Sequence, residues 1–158
     1  MSGLLSKAFP HQPVCGAMDT QDPFDLQRFV DAQQSVYADV LGELAAGAKT
    51  SHWMWFVFPQ LKALGRSATA QRFGIAGLAE AQAYARHPLL GARLRECTRT
   101  VLGVRDRSAL QIFGTIDAMK LRSSMTLFDR AAPDEPLFRE AIDRYFEGHP
   151  DVQTLERL

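Results

Sequence analysis

Leu26, Phe29, Val30, Val36, Tyr37, Val40, Leu41 and Leu44 fall at the three- and four-residue spacing that gathers side chains on one face of an α-helix. Nothing elsewhere in the chain offers a strand that could compete with this pattern. The periodicity returns, differently punctuated, down to the C-terminus and predicts an all-α fold. Asp22 is a suitable N-cap for this first helix, Pro23 suits its first position, and Gly47 supplies its stop. The next run, Trp53-Met54-Trp55-Phe56-Val57-Phe58, is closed by Pro59 and has no readable period. A buried strand and a short buried helix both fit it, and the lack of partner strands favours the helix.

Ala68 to Phe73 and Leu78 to Arg86 read as short helices separated by Gly74 and Gly77. Pro88 opens another, preceded by His87 as a helix-start residue, with Leu90, Leu94, Cys97 and Val101 in one stripe that ends near Gly103. Ser108 and Gln111 form a capping box for a brief helix that Gly114 ends. Asp117 is expected to cap the helix carrying Leu121, Met125 and Phe128. Asp134 and Pro136 begin one with Leu137, Ile142, Tyr145 and Phe146, terminated by Gly148, and Asp151 caps a last turn. The expected architecture is a single-domain orthogonal array of about seven helices over residues 22–158. Residues 1–21 hold Gly3, Pro10, Pro13 and Gly16 with no periodicity and are expected to form a disordered lead-in, with Met18 as an alternative start.

Composition narrows the function classes. Lysine plus arginine and aspartate plus glutamate both number 18, so the formal net charge is zero. A nucleic-acid or anionic-membrane binder needs a basic surplus, so neither is the expected partner. No apolar run approaches a membrane span, and the N-terminus lacks the apolar core of a signal peptide, which points to a cytoplasmic protein. The two cysteines, Cys15 and Cys97, are far apart and form no CxxC pair. Metal-binding, P-loop, dinucleotide and nucleophile-elbow motifs are all missing, so no metal and no cofactor is expected. Cys97 lies at the centre of an apolar stripe and reads as a packed thiol.

Polar residues in apolar settings carry what functional signal there is. Gln33 falls near the middle of the first helix's apolar arc, with Tyr37 one turn later. It is either bonded to another helix's backbone or in contact with a ligand. Lys49-Thr50-Ser51-His52-Trp53-Met54-Trp55 places both tryptophans beside a lysine and a histidine. Indoles supply stacking area, and an imidazole can act as an acid or base near neutrality, or both features can be core and loop. Arg66 and Ser67, after Gly65, could present a guanidinium and N–H groups to an anion. Lys120, Arg122, Ser123 and Ser124 offer cations and hydroxyls suited to phosphate or carboxylate, although a lysine can also lay its stem on the core.

From Asp22 onward the sequence resembles DUF1810, a bacterial family of unknown function. The resemblance rests on Asp22-Pro23-Phe24, Arg28-Phe29, Ala32-Gln33, Lys49 and Ser51-His52-Trp53-Met54-Trp55-Phe56 with Phe58-Pro59-Gln60-Leu61. It continues through Gly65-Arg66-Ser67, His87-Pro88-Leu89-Leu90-Gly91, Ile112-Phe113-Gly114, Asp117 and the string Lys120 to Phe128. It implies an all-α domain and no assigned activity. Some members are labelled calpastatin, which does not fit a compact, tryptophan-containing domain, because a calpain inhibitor of that kind is a disordered repeat.

The expected function is binding of a small anionic, nucleotide-like ligand. Lys49, His52, Arg66 and Lys120 would converge on the anion, and His52 would be the acid–base group of a metal-independent hydrolase or transferase. A non-catalytic interaction domain is the alternative reading, with RNA binding a weaker one.

Overall fold

The computed structural model describes residues 22–158, which contain nine α-helices: α1 (Gln27–Gln34), α2 (Tyr37–Ala46), α3 (Met54–Val57), α4 (Ala68–Arg72), α5 (Leu78–Arg86), α6 (Leu90–Leu102), α7 (Ala109–Ala131), α8 (Pro136–Phe146) and α9 (Val152–Glu156). The expected lead-in at residues 1–21, with Cys15, lies outside the described residues. Among the described residues the only extended pairing is an isolated parallel bridge between Leu61 and Ile75. There the N–H of Lys62 donates to the Ile75 carbonyl at 2.8 Å. A Cβ on Gly74 would stand 2.4 Å from Lys62 Cα, so only glycine allows this approach.

Local chemistry sets most helix ends. Ser67 and Asp151 accept from the N–H groups of Ala70 and Thr154. His87 Nδ1 accepts from both Leu89 and Leu90, which starts α6. Ser108 and Gln111 close a reciprocal capping box on α7. Pro136 stands in the first turn of α8.

Three expectations need correction. The first apolar stripe is two helices, because α1 stops at Gln34 and a turn at Ser35 and Val36, with Val36 at φ −119°, intervenes before α2. Phe29 of α1 and Val40 and Leu44 of α2 are all fully buried, so the periodicity runs on through a break it cannot reveal. The N-cap of α1 is Leu26 rather than Asp22, whose carboxylate instead accepts from the N–H groups of Leu26 and Gln27 at 2.7 and 3.1 Å, and Pro23 lies in the turn ahead of α1 rather than in it. Finally, the break expected at Gly114 is present, with a φ of 82° and ψ of 171° that a side chain would resist, but Asp117 does not cap the helix beyond it. Asp117 then lies inside the helical run that follows, with its carboxylate free for other work. The count is nine rather than about seven because one stripe divides and the short turns Met54–Val57 and Val152–Glu156 count separately, while the two helices expected on either side of Gly114 count as one.

The core is threaded by a file of aromatic rings. Phe73, Phe29, Tyr84, Phe128 and Phe138 follow one another at centroid distances of 5.8, 5.1, 5.3 and 5.9 Å, joining α1, α5, α7 and α8. Each such ring removes enough apolar surface to contribute roughly 1.5–3 kcal/mol. A second file, Trp53–Phe58–Phe113 at 6.3 Å per step, anchors the α3 segment against the start of α7. This anchoring brings the Lys49–Trp55 stretch to the Gly114 break.

Candidate functional site

Glu43, near the end of α2, organises the loop that follows. One carboxylate oxygen accepts from Thr50 N–H at 2.8 Å, Ser51 N–H at 3.1 Å and the Trp53 indole N–H at 2.9 Å. The other accepts from the Ser51 hydroxyl at 2.5 Å. Burial by itself would raise the pKa of this carboxyl. The donors from Ser51, Thr50 and Trp53 outweigh burial and hold it down at about 2. Glu43 does not stand out in the sequence, because a glutamate late in a helix is ordinary. The available signal was the cluster of hydroxyl, amide and indole donors just downstream, which needs an acceptor.

The loop delivers Lys49 beneath the surface. Its side chain is only 6% exposed, and Nζ meets Asp117 Oδ2 at 2.8 Å, the Ser51 carbonyl at 2.6 Å and the Trp53 ring face at 4.9 Å. The main chain is tied as well, since Lys49 N–H donates to the Ile112 carbonyl at 2.9 Å. Lys120 approaches the same carboxylate from the next turn of α7. Its Nζ stands 3.7 Å from Asp117 Oδ1 and 4.8 Å from the Trp55 ring centroid. Two ammonium groups therefore face one carboxylate, each with an indole beside it.

A cavity of about 420 Å³ opens here, lined by Lys49, His52, Met54, Trp55, Phe113, Gly114, Thr115, Ile116 and Asp117. A second, of about 300 Å³, lies on the other side of Ile116 and is lined by Gln60, Leu64, Met119, Lys120, Arg122, Ser123, Asp151 and Gln153 as well. Lys120 stands at the boundary, facing the second cavity while touching Asp117 and Trp55 of the first. Ile116, which lines both cavities, and Met119, which lines the second, are 70% and 66% exposed.

The structure thus brings Lys49, His52, Trp55 and Lys120 into one neighbourhood. Arg66 lines neither cavity and, exposed, pairs with no carboxylate among the described residues, while Ser67 is occupied as the cap of α4. Trp53 is buried and Ser51 is turned to Glu43, so both support the loop. Arg122 donates to the carbonyls of His149 and Pro150, tying down the chain before α9. Ser123 joins Asp151 Oδ2 at 3.2 Å, and Ser124 is fully buried with its hydroxyl unpartnered.

Gln33 and Tyr37 lie elsewhere. The Gln33 amide donates to the Phe56 carbonyl at 2.7 Å and the Tyr84 hydroxyl at 3.1 Å, and accepts from Arg93 at 3.2 Å. Tyr37 donates to Glu96 at 2.6 Å. Cys97 is enclosed beneath Tyr37, and burial pushes its thiol up to about 12, which leaves it protonated and unreactive near neutrality. Among the described residues no three His, Cys, Asp or Glu side chains come together as a metal would require. No helix among them is long and apolar enough to cross a membrane.

Residues 23–158 match the model of a family described as a protein of unknown function, DUF1810. The chain is also similar to a solved structure, that of the conserved hypothetical protein Rv1873 from Mycobacterium tuberculosis. The two are 54% identical, with 87% of this chain and 98% of that one covered and a TM-score of 0.86. No curated protein matches the chain.

Proposed function

This chain belongs to the DUF1810 family of proteins of unknown function, and we propose that its domain binds a small ligand that joins an anionic group to a flat or apolar part. The observation that carries this reading is the charge count at Asp117. Lys49 and Lys120 share a single carboxylate, which leaves one positive charge in excess beside a cavity walled by Trp55, Phe113 and Met54. Lys120 supplies that charge, because Lys49 is already enclosed by partners. The cavity falls within the range of small-molecule sites, roughly 300–1,000 Å³. A nucleotide is one ligand of this description, with its base against Trp55 and its phosphate at Lys120.

Arg66, which lines neither cavity, has no part in this reading. His52, on the rim, is the group placed to move a proton if the ligand is turned over by hydrolysis or group transfer. The exposed pair Ile116 and Met119 favours a second reading, a protein-interaction face, which a change of oligomeric state or partner capture on mutating Met119→Lys would reveal.

The test is thermal unfolding with sulfate, phosphate, mononucleotides and small carboxylic acids. A ligand at a hundredfold excess over Kd stabilises by about 2.7 kcal/mol. Protection is expected in the parent protein and lost in Lys120→Met. Equal behaviour of both proteins towards every compound would end the proposal. Any ligand found is then assayed for turnover with and without His52→Asn, which separates an enzyme from a binding domain.

A further inference from the structure

We infer that the ligand of this cavity is amphoteric, of the α-amino-acid type, with its carboxylate at Lys120, its ammonium at Asp117 and an apolar side chain in the aromatic cavity. The inference rests on the cavity reading above and specifies its ligand. It starts from an inequality between the two oxygens of Asp117. Oδ2 is taken at 2.8 Å by Lys49, whose ammonium also donates to the Ser51 carbonyl at 2.6 Å and faces the Trp53 ring. With its side chain 6% exposed, Lys49 is fully engaged and acts as a clamp that fixes the carboxylate.

Oδ1 is different. Among the described residues its nearest partner, Lys120 Nζ, stands 3.7 Å away, which is too long for a hydrogen bond, and that ammonium otherwise meets only the Trp55 face, at 4.8 Å. Both side chains are 21% exposed and border the cavities. An acceptor with open lone pairs and a donor with free protons therefore lie side by side without bonding each other. The complement of that pair is a donor next to an acceptor. In a free α-amino acid the ammonium nitrogen and a carboxylate oxygen are about 3 Å apart, as bond lengths require. Each end can then meet its opposite charge without forcing Asp117 and Lys120 apart.

The remaining surface accounts for the third substituent. Met54, Trp55, Phe113 and Ile116 give an apolar and aromatic wall, which suits a side chain such as that of leucine, methionine or phenylalanine. A bare anion would leave Oδ1 unpaired, and a bare amine would leave Lys120 so.

Calorimetric titration of the full chain with free leucine, methionine and phenylalanine, each beside its N-acetyl and its carboxamide form, tests this. At least one free amino acid should bind roughly tenfold or more tighter than both derivatives, a difference of about 1.4 kcal/mol. Asp117→Asn should bring the free and N-acetyl forms within about threefold of each other, and Lys120→Met should do the same for the free and carboxamide forms. If Asp117→Asn fails to fold, the comparison of derivatives on the parent protein decides alone. N-acetyl forms binding as tightly as free ones would overturn the inference while leaving the anion reading standing. Phosphate or nucleotide protection with no amino-acid binding would do the same. Loss of every anion effect would remove both.

Discussion

Two of the polar clusters set against the apolar interior differ in how completely they are filled. Around Gln33, every bond the amide makes runs to the protein: the Phe56 carbonyl, the Tyr84 hydroxyl and the Arg93 guanidinium. Around Asp117, one oxygen is closed by Lys49 and the other meets Lys120 only at 3.7 Å. The first cluster is built from bonds within the protein, which tie α1 to α3, α5 and α6 and hold the helices in register. The second keeps open valences at the wall of a cavity, and there a ligand has something to gain. Polarity inside an apolar stripe is therefore a poor guide to function until its partners have been counted.

Four substitutions break or sharpen that contrast. Glu43→Ala removes the acceptor that serves Thr50, Ser51 and Trp53, and should cost about 3 kcal/mol in denaturant unfolding while also abolishing ligand protection. The parent protein should show the same dependence in acid. The carboxyl is held at about 2 when folded against an ordinary 4.5, so its contribution is complete above 4.5 and is lost as pH falls towards 2. A midpoint that does not fall over that window in the parent, relative to Glu43→Gln, would show that the carboxylate contributes nothing.

Gln33→Ala leaves the Phe56 carbonyl and the Tyr84 hydroxyl short of a partner, and should cost about 2 kcal/mol with ligand protection untouched. A loss of binding here would erase the distinction between the two clusters. Lys120→Met should change stability by less than about 1 kcal/mol, because the pair it breaks is long and partly exposed, yet should remove protection by anions. Smallest of all, Ser124→Ala deletes a buried hydroxyl without a partner and should lie within about 0.5 kcal/mol of the parent or slightly above it. A clear loss would mean that the hydroxyl bonds something in solution.

What could be read in the sequence was whatever is decided within a few residues. The Ser108–Gln111 box, the Gly114 break, Pro136 at the start of α8 and the Asp151 cap are short-range chemistry, and each appears where the local pattern puts it. Ser35–Val36 was not legible, since both flanking helices turn apolar faces to the same core. At the candidate site, Lys49, His52, Trp55 and Lys120 were visible as residue types in suspicious company. Their partner was not. Asp117 had a sufficient local explanation as a helix cap, so its pairing with a lysine far back in the chain stayed hidden. Arg66 carries the opposite lesson, for its Gly-Arg-Ser context resembles an anion loop while its serine is fully used in starting α4.

The placement of the two indoles also gives the molecule a built-in optical gauge. Trp53 is sealed away with its N–H on Glu43, whereas Trp55 lies half-buried at the cavity with an ammonium over its ring. With only these two tryptophans in the chain, emission divides into a steady component from Trp53 and a responsive one from Trp55. Occupancy of the cavity should therefore be legible as a colour and intensity change in the unlabelled protein, and Trp55→Phe would darken that signal while leaving the sealed fluorophore as an internal standard.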